Sequence, residues 1–289
     1  FYGFFTLKIK SSFIFFLSLC FFEKLNDYKK TINFIYYSEL PEIYGLSLLM
    51  NNSTTKFNYL ELANFLTRGS AIQCNKFITL FDFIADYAKD CDFIKASKYE
   101  HIISTQDIKN KSQSFSCVDR KSKVFYYTSG YYSRLIIGSH SKQFLIDNMN
   151  REYITIERLS NLTNKLNAEL ILIPHYARNV ESIEKANEYY SIFLNKYKNV
   201  KLYENLIKYK QNDYDLSVTY GSNVFFDQLY LGRKSIIIDG VPKFTDILQY
   251  EKIKPFFYES DKISENEFHD LIIQSPLEFF NHKIDDSQK

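Results

Sequence analysis

The sequence has 289 residues, which is enough for about two domains of average size. Hydrophobic residues make up 45% of the chain and charged residues 24%, a globular composition that excludes intrinsic disorder. The formal net charge is only +2, from 36 basic and 34 acidic residues, and a nucleic-acid-binding protein needs a strongly basic face. We therefore expect a folded chain that does not bind nucleic acid.

The first element along the chain is an apolar run at residues 13–22, which Lys8 and Lys10 precede. This run is shorter than the roughly 20 residues that a membrane-spanning helix needs. We expect it to pack on the protein or to lie on an anionic inner leaflet, and not to be cleaved as a signal. The predicted location is cytoplasmic, with peripheral contact to the inner membrane.

The remaining elements are separated mainly by Asn, Asp and Ser clusters, because the chain has only 8 glycines and 5 prolines. In the N-terminal half, strands are predicted at residues 31–38, 101–105 and 124–128, helices at 59–66 and 77–88, and a loop at 109–122. In the C-terminal half, strands are predicted at 135–138, 170–173, 200–203, 216–219 and 235–238, and helices at 152–166, 181–198, 206–210, 224–231 and 244–250.

The alternation of strands and helices in the C-terminal half is typical of a doubly wound parallel sheet. Its strands are short and apolar without alternation, which indicates that both of their faces are covered. The sequence therefore predicts an α/β fold of two Rossmann-like domains with parallel sheets, the C-terminal one being the clearer. The predicted boundaries are 1–130 for an acceptor-side domain, 131–250 for a nucleotide-donor-binding domain and 251–289 for a helical tail.

Ligands of such sheets bind beyond the carboxyl ends of the strands. His175 and Arg178 follow the strand at 170–173, where an imidazole and a guanidinium suit a phosphate or carboxylate. Gly221, Ser222 and Asn223 follow the strand at 216–219 and open a helix, whose first N–H groups attract phosphate. The alternative is that these residues have structural roles: His175 would hydrogen-bond to a neighbouring residue, and Ser222 or Asn223 would cap the helix.

No motif for a metal or a cofactor is present. Asp-x-Asp triplets occur at 90–92 and 213–215, but neither follows a predicted strand, and the four cysteines form no CxxC pair. The chain also lacks GxGxxG, GxxxxGK[ST], HExxH and GxSxG. This argues against dinucleotide oxidoreductases, P-loop NTPases, zinc proteases and α/β-hydrolases, and we expect no metal and no cofactor.

Residues 215–239 resemble the donor-binding half of bacterial surface-polysaccharide transferases with two Rossmann-like domains, the GT-B type. In that group a strand leads to a Ser-rich turn and an apolar helix that ends in Leu-x-x-Gly-[Lys/Arg]. The residues that match this pattern are Ser222, Leu229, Gly232 and Arg233.

Within this group the chain is similar to lipooligosaccharide sialyltransferases and capsular polysialyltransferases. Their His-Pro and Ser-Ser/Thr motifs contact the CMP moiety of the donor. His175 matches the first motif and Ser222 the second, although Tyr176 replaces the proline and Asn223 follows the serine.

The resemblance implies a metal-independent, inverting glycosyltransferase of lipooligosaccharide or capsule polysaccharide biosynthesis. It would transfer a sugar, with sialic acid as the candidate, from a CMP-linked donor to an oligosaccharide or lipid-linked acceptor. The family's general base lies in an acidic pair before a glycine, whereas the corresponding residues 127–131 contain no acid. Asp107, after the strand at 101–105, is the first candidate base, and Glu39 is the second.

Two alternatives remain. The first is a CDP-glycerol polyol-phosphate transferase, a class whose motifs are similar to residues 219–223 and to the pair Phe226 and Asp227. The second alternative is a non-catalytic member of the fold, which the missing acidic pair favours.

Overall fold

The computed structural model describes residues 31–36, 56–61, 72–113, 121–130, 141–174, 181–203, 214–240, 245–248 and 250–285. The chain divides into two compact units, Phe1–Thr105 and Gln106–Lys289. No helix within these described ranges is long and apolar enough to cross a membrane. The apolar run at 13–22 lies outside them.

The first unit contains a four-stranded parallel sheet in the order β1-β2-β3-β4. Tyr59 of β2 and Phe77 of β3 are register partners, and their stacked rings lie 5.6 Å apart on one face of the sheet. The strands are β1 (Thr31–Tyr36), β2 (Lys56–Glu61), β3 (Ile72–Phe81) and β4 (Ile94–Ile103), and the helix is α1 (Asp82–Asp90). The next helix, α2 (Thr105–Ser112), belongs to the second unit from Gln106 onward.

Two helices predicted for this unit are partly wrong. Residues 59–61 belong to β2 and residues 77–81 to β3, and the helix after β3 begins only at Asp82. From Phe77 to Phe81 burial alternates with the period of a strand, although the same apolar residues also suit one face of a helix. The predicted strand at 31–38 is confirmed over residues 31–36 as β1, and residues 101–103 of the strand predicted at 101–105 form the end of the longer β4.

The second unit contains a six-stranded parallel sheet in the order β10-β9-β8-β5-β6-β7. Counted from β5, the order across the sheet is 3-2-1-4-5-6, the doubly wound order of Rossmann sheets. The strands are β5 (Lys123–Tyr127), β6 (Glu169–Ile173), β7 (Val200–Leu202), β8 (Leu216–Thr219), β9 (Ser235–Ile238) and β10 (Phe257–Tyr258), and the helices are α3 (Lys142–Lys165), α4 (Glu181–Lys196), α5 (Val224–Tyr230), α6 (Thr245–Leu248), α7 (Glu265–Ile273) and α8 (Pro276–Asp285).

The α/β fold with parallel sheets is therefore confirmed. The predicted strands at 170–173, 216–219 and 235–238 match β6, β8 and β9, whose residues are almost all buried. The predicted strand at 135–138 and helix at 206–210 lie outside the described residues.

The boundary between the two units lies earlier than the predicted residue 130. The strand at 124–128 was placed in the N-terminal domain, but β5 pairs with both β6 and β8 and is central to the second sheet. The predicted tail at 251–289 also belongs to this unit, because β10 extends the sheet by pairing with β9. Sheet pairing therefore joins segments that local sequence patterns had separated.

Gly232 allows α5 to end against α2. Its backbone has φ +72°, its N–H donates to the Leu229 carbonyl at 2.9 Å, and the Arg233 N–H donates to the Gln228 carbonyl at 3.0 Å. These are the two hydrogen bonds of a Schellman motif. A Cβ at Gly232 would lie 2.7 Å from the Ser112 backbone nitrogen, so no side chain fits between the two segments.

Lys234 joins the sheet to the C-terminal helices. Its side chain is buried, and Nζ donates to the carbonyls of Leu271, Ile272 and Gln274 at 2.9, 2.5 and 2.7 Å. Three acceptors satisfy the three ammonium donors, and the C-terminal end of α7 is a favourable place for a cation.

We expect Gly232→Ala to lower the free energy of unfolding by about 2 kcal/mol or more, because it adds both left-handed strain and overlap with α2. Gly232→Asn is the matched variant, since asparagine tolerates positive φ but has the same Cβ. Urea denaturation should show both variants destabilised. A Gly232→Asn variant as stable as the parent would show that crowding by α2 is unimportant.

We expect Lys234→Met to lower the free energy of unfolding by about 3 kcal/mol, because it leaves three carbonyls without their buried donor. Lys165→Met is the control, since that exposed lysine pairs with Glu265 at the other end of α7. Its substitution should lower the free energy of unfolding by less than about 1 kcal/mol. Equal thermal unfolding of the two variants would contradict the assigned role of Lys234.

Candidate functional site

The strand order of the second unit reverses between β5 and β8. Tyr127 and Thr219, the last residues of these strands, are register partners. Tyr126 contacts Glu152 of α3, whereas Tyr127 packs on the opposite face with Val224 of α5. The chain therefore leaves the two strands toward opposite faces, and the loops that diverge, residues 128–130 and 220–223, define what we call the switch-point crevice. In doubly wound sheets ligands bind at such a point.

The first wall of the crevice is held by a buried carboxylate. Glu152 is 1% exposed, and it accepts hydrogen bonds from the Ser129 N–H at 2.6 Å and the Ser129 hydroxyl at 2.5 Å. The Tyr126 hydroxyl donates to the same carboxylate at 3.3 Å. Burial, with a smaller contribution from the charge of Glu152, holds the pKa of Tyr126 well above its usual value, so this phenol stays a donor.

The second wall is the turn after β8. Gly221 has φ +107°, a conformation that favours glycine, and Tyr220 before it is buried. Ser222 Oγ accepts a hydrogen bond from the Val224 N–H at 3.3 Å, which leaves its hydroxyl proton free to be donated elsewhere. Because α5 has only seven residues, its dipole is weak, and any anion here depends on the turn itself.

Two polar side-chain atoms of this wall have no hydrogen-bond partner among the described residues. They are Oγ1 of Thr219, a fully buried residue, and Oδ1 of Asn223. Thr219 ends β8 and Asn223 precedes α5, so the two lie on either side of the Gly221 turn. A buried polar atom without a partner costs free energy of folding, and among the described residues this wall contains two such unsatisfied polar atoms beside its turn.

The structure brings some of the predicted site residues to one place and does not describe others. Gly221, Ser222 and Asn223 lie between β8 and α5, in the second wall of the crevice. His175 and Arg178 lie outside the described residues, but the β6 strand that precedes them ends beside the first wall, where Thr128 N–H donates to the Ile173 carbonyl at 3.0 Å.

The candidate general bases of the sequence analysis are differently placed. Asp107 is exposed in the first turn of α2 and does not follow a strand directly, because β4 ends at Ile103 and the helix begins at Thr105. Glu39 lies outside the described residues.

Three carboxylates at strand ends or beside them were missed by the sequence reasoning. Glu152 lies beside the end of β5, Glu61 is buried at the end of β2, and Asp82 follows β3 directly. Asp82 accepts from the Thr105 N–H and hydroxyl, both at 2.7 Å, and so joins the ends of β3 and β4. An acid after an apolar segment was the available signal for Glu61 and Asp82, but both fell in or beside segments predicted to be helical.

Neither wall of the crevice contains a lysine or arginine in its loop sequence. Within the described ranges, no group of three or more His, Cys, Asp or Glu residues is arranged to hold a metal ion.

The chain matches no family model and no curated protein by sequence. Among solved structures it is similar to an α,α-trehalose 6-phosphate synthase from Burkholderia multivorans, with a TM-score of 0.49, 8% identity and coverage of 97% of this chain and 71% of that one. It is also similar to a chain assigned as a UDP-N-acetylglucosamine 2-epimerase from Listeria monocytogenes, with a TM-score of 0.48, 11% identity and coverage of 96% and 73%. Similarity at this level does not indicate a shared activity.

We expect Thr219→Val to leave the free energy of unfolding unchanged or to raise it by about 1 kcal/mol, because it removes a buried hydroxyl that has no partner among the described residues. Thr155→Val is the matched control, because the Thr155 hydroxyl donates to Asp239 and its loss should destabilise the protein. Denaturant titrations of both variants measure the difference. Clear destabilisation by Thr219→Val would show that the hydroxyl already has a partner within the protein.

Proposed function

We propose that this chain is a glycosyltransferase that uses a nucleotide-linked sugar, and that the nucleotide binds in the switch-point crevice. The observation that supports this most directly is the reversal of strand order between β5 and β8, with the Gly221 turn and the side chains of Thr219, Ser222 and Asn223 at that point. The resemblance of residues 215–239 to surface-polysaccharide transferases selects sugar transfer among the reactions that such sheets support.

The sequence of the first loop supports a nucleotide sugar over a dinucleotide cofactor. In dinucleotide-binding sheets a glycine-rich turn leads directly from the first strand into a helix, whose N-terminus holds the pyrophosphate. Here the three residues that follow β5 directly, 128–130, are not helical. The loop also lacks the glycine fingerprint.

In the proposed reaction the chain neutralises the leaving phosphate with its own groups. The Ser222 hydroxyl and the backbone N–H groups of its turn would donate to the phosphate, while His175 and Arg178 would stabilise the charge that develops on it. No divalent metal is needed for this mechanism. We propose CMP as the nucleotide and sialic acid as the sugar, from the likeness of the His175 and Ser222 segments to the two CMP-contacting motifs.

Inverting transfer also needs a base that removes the proton from the acceptor hydroxyl. Asp107 and Glu39 are the candidates from sequence. Glu61 and Asp82 join them, since each is a carboxylate at the carboxyl end of a strand of the first unit. The acceptor would be an oligosaccharide or a lipid-linked glycan, reached from the cytoplasmic side with the chain peripheral to the inner membrane.

A polyol-phosphate transferase is the second candidate, because residues 219–223 and the pair Phe226 and Asp227 resemble motifs of that class. Phe226 is buried and Asp227 is exposed, so the two side chains of that pair do not form one site. This favours the glycosyltransferase, and analysis of the transferred group would separate the two activities.

Calorimetry with CMP, CDP and UDP, with and without EDTA, tests the proposal. We expect binding of at least one nucleotide and no effect of EDTA. Absence of binding for all three would refute the function, and loss of binding on chelation would refute the metal-free mechanism.

For turnover with a nucleotide sugar, we expect His175→Ala to lower the rate by about 100-fold, because it removes charge stabilisation at the leaving phosphate. Ser222→Ala should weaken nucleotide binding by about 1 kcal/mol, the value of one hydrogen bond. Ser191→Ala on α4 is the control, because that hydroxyl donates to the exposed Glu188 carbonyl. Equal binding by the Ser222 and Ser191 variants would contradict the role of the turn.

A further inference from the structure

Glu152 is a carboxylate that the proposed chemistry does not use. It lies on α3, and the residues that it holds lie 23 and 26 positions earlier in the chain, at the end of β5. It is buried, and it accepts hydrogen bonds from three neutral groups, the Ser129 N–H, the Ser129 hydroxyl and the Tyr126 hydroxyl. Removing a carboxylate from water is costly even when hydrogen bonds compensate.

The two shortest of these bonds hold one residue at two points. Both the backbone N–H and the side chain of Ser129 donate to Glu152, at 2.6 and 2.5 Å, so the orientation of this residue is fixed relative to α3. Gly130 follows with φ +69°, a left-handed backbone conformation that favours glycine. The direction in which the first wall presents its backbone therefore depends on Glu152.

Asp239 offers a direct comparison at the same edge of the same sheet. It follows β9, and it accepts from the Thr155 hydroxyl of α3 and from the Ser260 N–H at 2.7 Å. Glu152 and Asp239 thus both connect α3 to the end of a strand. Glu152 contacts the end of β5, which borders the reversal of strand order, whereas Asp239 follows β9, which does not.

We propose that Glu152 is a positioning residue for the nucleotide: it fixes the Ser129–Gly130 segment so that this wall of the switch-point crevice is preformed for binding. The inference rests on the proposed nucleotide site and adds a residue that acts through Ser129. Asp239, by contrast, hydrogen-bonds no residue of that segment and connects α3 to Ser260 of the C-terminal segment.

The test is to measure, by calorimetry, the binding of whichever of CMP, CDP and UDP the unmodified protein binds, together with thermal unfolding. We expect Glu152→Gln to raise the Kd by tenfold or more, and Asp239→Asn to lower stability without changing the Kd. Asparagine suits the Asp239 position because it tolerates the backbone φ of +60° there. Ser129→Ala keeps the backbone bond to Glu152 and should raise the Kd by a smaller factor, about threefold.

A double-mutant cycle shows whether Glu152 acts through Ser129. If it does, Glu152→Gln combined with Ser129→Ala should bind no more weakly than Glu152→Gln alone. Additive effects, or an unchanged Kd in a Glu152→Gln variant that is merely less stable, would overturn the positioning role and leave the nucleotide site intact.

If Glu152→Gln does not fold, Ser129→Ala decides the question, and an unchanged Kd in that variant overturns the inference. A parent protein that binds none of the three nucleotides overturns the proposed function and this inference together.

Discussion

In the six-stranded sheet, β5 pairs with β6 on one side and with β8 on the other, and both pairings are parallel. Parallel neighbours require a crossover for each connection, so the helices that follow β5 and β8 must cover opposite faces of the sheet. This single reversal buries both faces of the central strands and separates the two loops at their carboxyl ends. The switch-point crevice is a geometric consequence of that pairing.

Buried and half-buried charged groups around this sheet fix the positions of helices that the strands alone would leave adjustable. Lys234 joins β9 to the end of α7, Glu152 joins α3 to the end of β5, and Asp239 joins α3 to Ser260. The ammonium group donates to backbone carbonyls, and the two carboxylates accept from backbone N–H and side-chain hydroxyl groups. A buried charge without such partners would destabilise the fold, so these contacts specify which packing of the helices is the native one.

The segment that resembles surface-polysaccharide transferases contains residues with two different physical roles. Gly232 and Arg233 end α5, with Gly232 in contact with α2 and the Arg233 guanidinium 5.6 Å from the Tyr214 ring. Ser222 lies in the turn at the crevice, where it is able to contact a ligand. The helix-ending part of the pattern is therefore explained by folding alone, and the functional proposal depends on the turn and on the strand reversal beside it.

The sequence by itself determined the α/β class and most of the second sheet, because short apolar strands and amphipathic helices leave local periodic patterns. It also placed residues 221–223 at a strand end, which depends only on where β8 stops. The sequence assigned residues 59–61 and 77–81 to helices, because their apolar spacing suits the period of a helix as well as that of a strand. In the structure they pair in parallel as parts of β2 and β3.

Only the tertiary structure decided that β5 is a central strand of the second sheet and that Glu152 holds Ser129. Both facts depend on contacts between residues far apart in sequence, Tyr127 with Thr219 and Glu152 with Ser129. The free energy of such contacts comes from burial and hydrogen bonding after the chain has closed a long loop. No local pattern of residues records which strands will become neighbours.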